Sequence, residues 1–591
     1  GFYGDRFDAA REMLTGGSPD RRIDVLTGDY LAELTMLILW RSTLGKGDEP
    51  AKDRGGYAKT FVHQMRDCLA IAKEQGTKIV VNAGGLNPAG LADALRSLAA
   101  ELGVDTTIAH VEGDDLLARL PALSEAHALA NLDTGEPLSG LANAPLTANA
   151  YLGAWGIKAA LDAGADVVVT GRVTDASLVV GPAAWHHGWD AADLDALAGA
   201  VVAGHVIECG CQATGGNYPF FTEVPGLEHP GFPIAEVAAD GSSVITKHEG
   251  TGGLVSVGTV TAQLLYEIGE PRYLGPDVTT DFRTIELGDD GPDRVRISGV
   301  RGTPATPDLK VCINTLGGFK NEMTFLLTGL DIEAKADLVR RTVAAHIDLG
   351  AIDEVDWQLS RRDQPDASVN ALATATLRLV VKDANQKKVG RRAFSSPLVE
   401  LALATYPGAT FTAPPGDAEP YGIYWPTLVP KAEVHEVVVL ADGTQIAIEQ
   451  SNGEPLPEDA SPSTAASTVP ARTIPASDDE EARMVPLGTL LGARSGDKGG
   501  NANVGLWARD DEAAAWLAQV ATADWVRTLL PEAADLEVFI HPLPNLRAVN
   551  VVIVGLLGDG VSSSTRPDPQ AKGLAEFLRS RQAAIPTRLL A

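Results

Sequence analysis

Four short apolar runs, each cut off by a polar segment that most often carries glycine, set the rhythm of the first part of the chain. Residues 23–26, Lys78–Val81, 107–111 and Val167–Thr170 are strand-length and dominated by apolar or β-branched side chains. Runs of that length bounded by turn residues read as buried strands. They are followed by Gly28-Asp29-Tyr30-Leu31-Ala32-Glu33, Asn82-Ala83-Gly84-Gly85-Leu86-Asn87-Pro88, Glu112-Gly113-Asp114-Asp115 and Gly171-Arg172-Val173-Thr174-Asp175-Ala176-Ser177. Helical patterning occupies 7–14, the stretch through Trp40, the residues after Pro88, and 151–163. Repeated strand, polar loop and helix predict an α/β fold with a doubly wound parallel sheet, its polar loops gathered at the carboxyl edge.

The texture changes near residue 278. Strand-like pieces at 294–297, 309–313, 373–381 and 434–439 surround a helical stretch at 332–347, which predicts a following α+β part. Residues 451–482 are Ser, Pro, Ala, Thr and acidic residues without hydrophobic period, the composition of a mobile linker. A strand-like run at 549–554 and a helix at 571–579 then mark a small last domain. The expected units are therefore 1–277, 278–450, a linker at 451–484, and 485–591.

Composition narrows the functional classes. A chain of 591 residues is expected to hold several domains, at about 100–200 residues each. The net charge of −30 argues against nonspecific binding of nucleic acid or an anionic membrane. A phosphorylated ligand would need a local nest of N–H groups with a few Arg or Lys. The four cysteines are too few for a disulfide scaffold, so a reducing, cytoplasmic setting is expected. No apolar run reaches the roughly 18 residues of a membrane span, and no signal peptide is visible. The chain opens at Gly1 inside a motif, so a preceding strand is expected outside this numbering.

Chemistry concentrates in two places. One is Gly171 to Ser177 at the end of the strongest strand. The other is Glu208-Cys209-Gly210-Cys211-Gln212-Ala213-Thr214-Gly215-Gly216-Asn217, where a carboxylate and two thiols sit beside backbone able to approach a ligand closely. Glycine loops ahead of helices at Gly1 to Arg6 (with Gly4, Asp5 and Arg6), at Asn82 to Asn87 (with Gly84 and Gly85) and at Lys247 to Gly253 are candidate phosphate cradles. Ser495-Gly496-Asp497-Lys498-Gly499-Gly500 lacks the Walker spacing, which disfavours a P-loop ATPase.

Taken together, Gly-Phe-Tyr-Gly-Asp-Arg at the start, Val169 to Ser177, Gly204-His205 with Glu208-Cys209-Gly210, Gln212 and Thr214-Gly215-Gly216, and Ser-Gly-Asp-Lys-Gly-Gly-Asn-Ala-Asn from Ser495 resemble the acyclic terpene utilisation AtuA family. The likeness covers most of the chain. Its body resembles the AtuA core, and the part from Val485 onward resembles the fused ferredoxin-like domain of that family. The resemblance implies a place in acyclic terpene and branched acyl-CoA breakdown, with hydratase or lyase chemistry on carboxylated acyl-CoA intermediates. It brings no established catalytic set, so roles follow from chemistry alone.

Hydrating an enoyl thioester, or cleaving a β-hydroxy thioester, needs a general acid and base and donors for an enolate-like oxygen. Glu208 and Asp175 are candidate carboxylates, and His205 is a further acid–base candidate. Arg172 either grips a substrate carboxylate or pairs with Asp175 and fixes the loop. Backbone N–H groups near Gly210, Gly215 and Gly216 are candidate oxyanion donors, Gly171, Gln212, Asp497 and Lys498 are candidate substrate-binding residues, and Lys498 and Arg494 are the residues to watch in the last domain. Coenzyme A enters as part of the substrate, with no tightly bound cofactor, no redox cofactor and no metal. A symmetric homo-oligomer is expected.

Other readings use the same residues. Cys209 is a nucleophile if His205 reaches it as base. Cys209 and Cys211 with His205 or Glu208 bind zinc only if a second motif converges on them. Arg172–Asp175 as a structural ion pair, Glu208 as a helix cap and the glycines as turns form the plain alternative. His186-His187 between Trp185 and Trp189 reads as a packed aromatic corner, and Asp478-Asp479-Glu480-Glu481 as a solvated charge run. From a different class, the chain is a noncatalytic acyl-CoA-binding or assembly subunit working beside an acyl-CoA carboxylase.

Overall fold

The computed structural model describes residues 4–17, 22–45, 49–50, 53–450, 453–455 and 481–590. Gly1, Phe2 and Tyr3 of the first motif, most of the expected linker and Asp478 to Glu480 of the acidic run lie outside the described residues.

The first five strands are β1 (Val25–Gly28), β2 (Lys78–Val81), β3 (Ile108–Glu112), β4 (Pro145–Ala150) and β5 (Val167–Thr170). Four of them form a parallel array in the order β1, β2, β5, β3. Successive side chains of a strand point to opposite faces, which gives this array two cores. Ile79, Val81, Ile108, Val167 and Val169 pack on Phe61, Leu69, Leu91 and Leu95. Val80, Ala109, Val111 and Val168 pack on Ile157, Ala160, Val311 and Ile313.

The parallel part stops there, and this corrects the expected doubly wound core. Beyond β3 the sheet continues with the antiparallel strands Val437–Val439 and Gln445–Ala447, and the chain's other sheets are antiparallel. β4, which the sequence reading left without a strand, pairs with Asp308–Thr328. That 21-residue strand, of which only 309–313 and no continuation was expected, also pairs with Glu419–Pro430 and Thr374–Asp383. The expected boundary between 277 and 278 therefore falls within shared sheets.

The helix Leu194–Ile207 is buried on all sides from Ala196 to Val206. A helix apolar all round belongs in the middle of a core. Neighbours approach it closely because Gly199 and Gly204 carry no side chain: a Cβ would fall 2.1 Å from the Gly241 carbonyl oxygen and 2.8 Å from Ala176 Cα. The helix ends at the depth where Glu208 begins.

The last part of the chain forms an antiparallel four-stranded sheet in the spatial order Leu491–Lys498, Asn501–Ala508, Ala548–Ile553, Val538–Leu543. It has its own core, which includes Leu506, Leu517, Val526 and Leu578. Its Trp507, Leu543, Leu546 and Ala548 are buried in the same cluster as Val201, Leu264 and Phe282, so this domain is docked on the rest. Among the described residues no helix is long and apolar enough to cross a membrane.

Candidate active site

The loops leaving the carboxyl ends of the parallel strands converge. Asn82, after β2, receives the Tyr30 N–H on Oδ1 at 2.6 Å and donates from Nδ2 to Asp29 Oδ1 at 2.6 Å, so it orients the carboxyl that follows β1. Asp114, after β3, accepts the Arg172 N–H and Asn149 Nδ2, both at 2.9 Å. Gly171 makes room for it: a Cβ there would come within 2.5 Å of Asp114 Oδ1. Arg172, 3% exposed, donates to Asp175 Oδ1 at 2.7 Å and to the Leu31 carbonyl at 3.2 Å. Its guanidinium lies 4.2 Å from the Tyr151 ring centroid.

Glu208 is delivered by the end of the buried helix. Burial, then Asp175 and Glu267, push its carboxyl well above the usual carboxylate range. His205 Nδ1 is 3.4 Å from Glu208 Oε1, and its ring packs against Tyr273 and Phe282 at 5.4 and 5.6 Å. Burial lowers this imidazole to about 4, with Lys498 adding to the effect, so it is neutral at pH 7. The Cys209 thiol is pushed up by burial and by Glu208 and Glu267, the opposite of what a nucleophilic thiolate needs. Cys211 faces elsewhere, donating to the Pro230 carbonyl at 3.5 Å and accepting from Arg6 at 3.9 Å.

Two further walls close the chamber. From the antiparallel side, Tyr151 donates to Glu33 Oε1 at 2.7 Å and Lys310 Nζ lies 3.7 Å from the same carboxylate. Burial would raise Glu33, but Lys310, Arg172 and Tyr151 outweigh it and hold it at about 2. From the last domain, Lys498 Nζ donates to the Glu267 carbonyl at 2.9 Å, and Arg494 donates to Gln212 Oε1 while stacking 4.3 Å over Tyr266. Asp497 rises to about 7 through burial and Glu267. The chamber thus joins Glu33, held low, Glu208, pushed high, and fixed cations from three parts of the chain, an arrangement suited to moving protons and stabilising an anion.

The structure brings Asn82, Gly171, Arg172, Asp175, His205, Glu208, Cys209, Gln212, Asp497 and Lys498 to this region, and leaves several expected residues out. Arg6 bonds Glu12 and the Pro230 carbonyl, and Gly4 and Asp5 precede a seven-residue helix rather than an anion cradle. At Gly84 and Gly85 the N–H groups serve the carbonyls of Thr170 and Asn82, and at Gly215 and Gly216 those of Gln212 and Cys211. Both expected donor sets are spent on backbone carbonyls, within the turn at Gly85, Gly215 and Gly216 and across to the end of β5 at Gly84. In the segment Lys247 to Gly253, Lys247 bonds the Thr251 carbonyl, and the next helix is capped by Ser256 and Thr259. His187 stacks on Trp189 at 5.1 Å, as a packed corner should.

Sequence reasoning missed Asp29, Glu33, Tyr151, Lys310, Glu267 and Lys572 as site residues. Asp29 and Glu33 had a usable signal, a glycine-led polar loop after a strand. Lys310 and Glu267 had none, because the elements that carry them reach the site by long-range pairing. A separate cavity of about 950 Å³ lies between β1 and the strand Pro233–Val237, each last in its sheet among the described residues. Its cations Arg294, Arg296 and Lys247 are paired with Glu236, Asp290 and Asp293, and none of Arg172, Asp175, Glu208 or Lys498 lines it. Among the described residues no group of three or more His, Cys, Asp or Glu is placed to hold a metal ion.

Comparison with known proteins gives two matches to family models. One is described as acyclic terpene utilisation family protein AtuA and covers residues 1–440. The other is described as the AtuA ferredoxin-like domain and covers 485–584, the antiparallel four-stranded unit. No curated protein and no solved structure matches the chain.

Proposed function

From the premise that the chain belongs to the acyclic terpene utilisation AtuA family, we propose that it is a hydratase or carbon–carbon lyase acting on an acyl-CoA thioester of branched or acyclic terpenoid acid breakdown. The observation that carries this reading is the buried Glu208 carboxyl, pushed well above the usual carboxylate range, beside the Arg172–Asp175 pair in a polar cluster. Glu208 donates a proton to the carbon next to the thioester carbonyl. Arg172 and Lys498 stabilise the negative charge that gathers on the thioester oxygen, a task the glycine N–H groups of residues 215 and 216 do not perform. Asp175 keeps Arg172 oriented, and neutral His205 lies beside Glu208.

Thermal denaturation of the full chain against CoA, short straight-chain, branched and terpenoid acyl-CoA thioesters, with free acids and NAD as controls, tests the ligand class. A selective rise for one thioester class is the expected outcome. With the thioester so chosen, Glu208→Gln is expected to lower turnover by about 10²–10⁴-fold and leave the thermal shift in place. No shift with any thioester sinks the acyl-CoA reading. A shift without turnover, and a partner carboxylase activity unchanged by Glu208→Gln, would instead fit a binding subunit.

A further inference from the structure

Glu267 has a positive φ of 55°, a conformation uncommon for a residue with a side chain. Such a conformation persists only when the surroundings over-determine it, and it recurs where a side chain has to be held in one place for chemistry. Here the surroundings belong to the ferredoxin-like domain. Asn503, fully buried, accepts the Glu267 N–H on Oδ1 at 2.8 Å and donates from Nδ2 to the Leu265 carbonyl at 2.9 Å. It is held in turn by Asn550 Oδ1 at 2.5 Å. Asn550 Nδ2 donates to the Ile268 and Gly269 carbonyls at 3.2 and 2.6 Å, and Lys498 takes the Glu267 carbonyl. Five bonds from one domain thus fasten the three consecutive residues Glu267, Ile268 and Gly269 and, two positions earlier, Leu265.

The neighbouring glycines fit the same purpose. A Cβ at Gly496 would meet Tyr266 Cε2 at 2.6 Å and Glu267 Cγ at 2.9 Å, and one at Gly505 would meet Leu265 Cβ at 2.3 Å. The last domain's first two strands carry a side-chain-free footprint where residues 265–267 lie. The groups facing the Glu267 carboxyl are Tyr266, Lys572, Lys498, Asp497, Glu33 and Glu208, with His205, Cys209, Tyr273 and Arg494 also within its field. Burial raises this carboxyl, while Tyr266 and the two lysines oppose the rise.

Resting on the acid–base reading above, we propose that Glu267 is the second acid–base carboxylate of the chamber, working opposite Glu208, and that Asn503 is its positioning residue. For hydration, Glu267 takes a proton from water as the water oxygen bonds the β-carbon, and Glu208 gives its proton to the α-carbon. For cleavage, Glu267 takes the β-hydroxyl proton, the bond between α- and β-carbon breaks to leave a carbonyl, and Glu208 protonates the α-carbon. Either cycle leaves Glu267 protonated and Glu208 ionised, and one proton passing back between them resets the site. The ferredoxin-like domain is then part of the active site in its own chain.

One test needs no substrate. Dicyclohexylcarbodiimide modifies carboxyl groups that retain a proton in enclosed surroundings, and peptide mass spectrometry locates the adduct. In the full chain near pH 7, Glu208, which carries the proton of the resting pair, is expected to label well above exposed Glu101 and Glu333, with side chains 59% and 64% accessible, and Glu267, its ionised partner, to label less than Glu208. Asn503→Ala, which frees Glu267 from its place opposite Glu208, is expected to cut the Glu208 label several-fold. Equal Glu208 labelling in wild type and Asn503→Ala, or Glu267 labelling as strong as that of Glu208 in wild type, overturns the proposal. With an active thioester in hand, Glu267→Gln should lower kcat about 100-fold or more at unchanged KM and remove one limb of the pH profile, with partial rescue in Glu267→Asp. A merely structural Glu267 would instead lower the melting temperature and leave the pH profile intact. If no thioester is turned over, the labelling result still decides the placement of Glu267, so the two readings fail separately.

Discussion

Asp114 carries two hydrogen bonds on one oxygen and is still raised to about 7, because burial outweighs both donors. An acid with a raised folded-state pKa binds more protons folded than unfolded. Its stabilising effect is full below about 4 and is lost as pH rises toward 7. Asp114→Asn, whose amide oxygen can keep both bonds, should match wild type in melting temperature near pH 4 and exceed it above pH 7. Thermal melts across that range would show it, and a constant difference at all pH values would refute it. His205 runs the other way: lowered to about 4, it makes the fold lose stability as pH falls from about 6.5 toward 4. Cys209 also allows a direct prediction. Its raised thiol should resist iodoacetamide in the folded chain at pH 8, and Cys209→Ser should keep at least half the turnover, whereas a nucleophile would lose nearly all of it.

At the level of elements, the strands whose ends build the site were legible because each is a short apolar run stopped by polar residues. Val167 to Thr170 followed by Gly171 to Asp175 is the clearest case, and the pairing of Arg172 with Asp175 follows from their spacing. The antiparallel majority was not legible. Asp308–Thr328 alternates imperfectly, since it is paired on both edges and bulged near Gly318, where φ is 149°. Glycine loops also misled: N–H groups of the kind that cradle phosphates here bond backbone carbonyls, within the turn at Gly85, Gly215 and Gly216 and across to β5 at Gly84. The docking of the ferredoxin-like domain rests on Trp507 within the main cluster. Trp507→Ala is expected to cost about 3–5 kcal/mol in chemical denaturation. A loss below about 1 kcal/mol would mean that the two parts are only loosely joined.

Across the whole molecule, 78 acidic residues face 48 basic ones. Repulsion among like charges is screened over about 10 Å at 0.1 M salt. Raising sodium chloride from about 0.02 to 0.3 M should therefore lift the melting temperature by a few degrees. A fall in melting temperature would instead show that the ion pairs outweigh the excess charge. The pairing of Ile108–Glu112 with Val437–Val439 has a different consequence, one of time. A ribosome releases residue 112 long before residue 437, and Asn503 and Asn550 later still, while each holds a fixed place in the finished molecule. The nascent polypeptide must therefore keep its first strands unfinished at one edge until residue 437 has emerged, and the setting of Glu267 unfinished until Asn503 and Asn550 have followed. A cell that makes this protein waits that long for a part of it that the first strands had already begun.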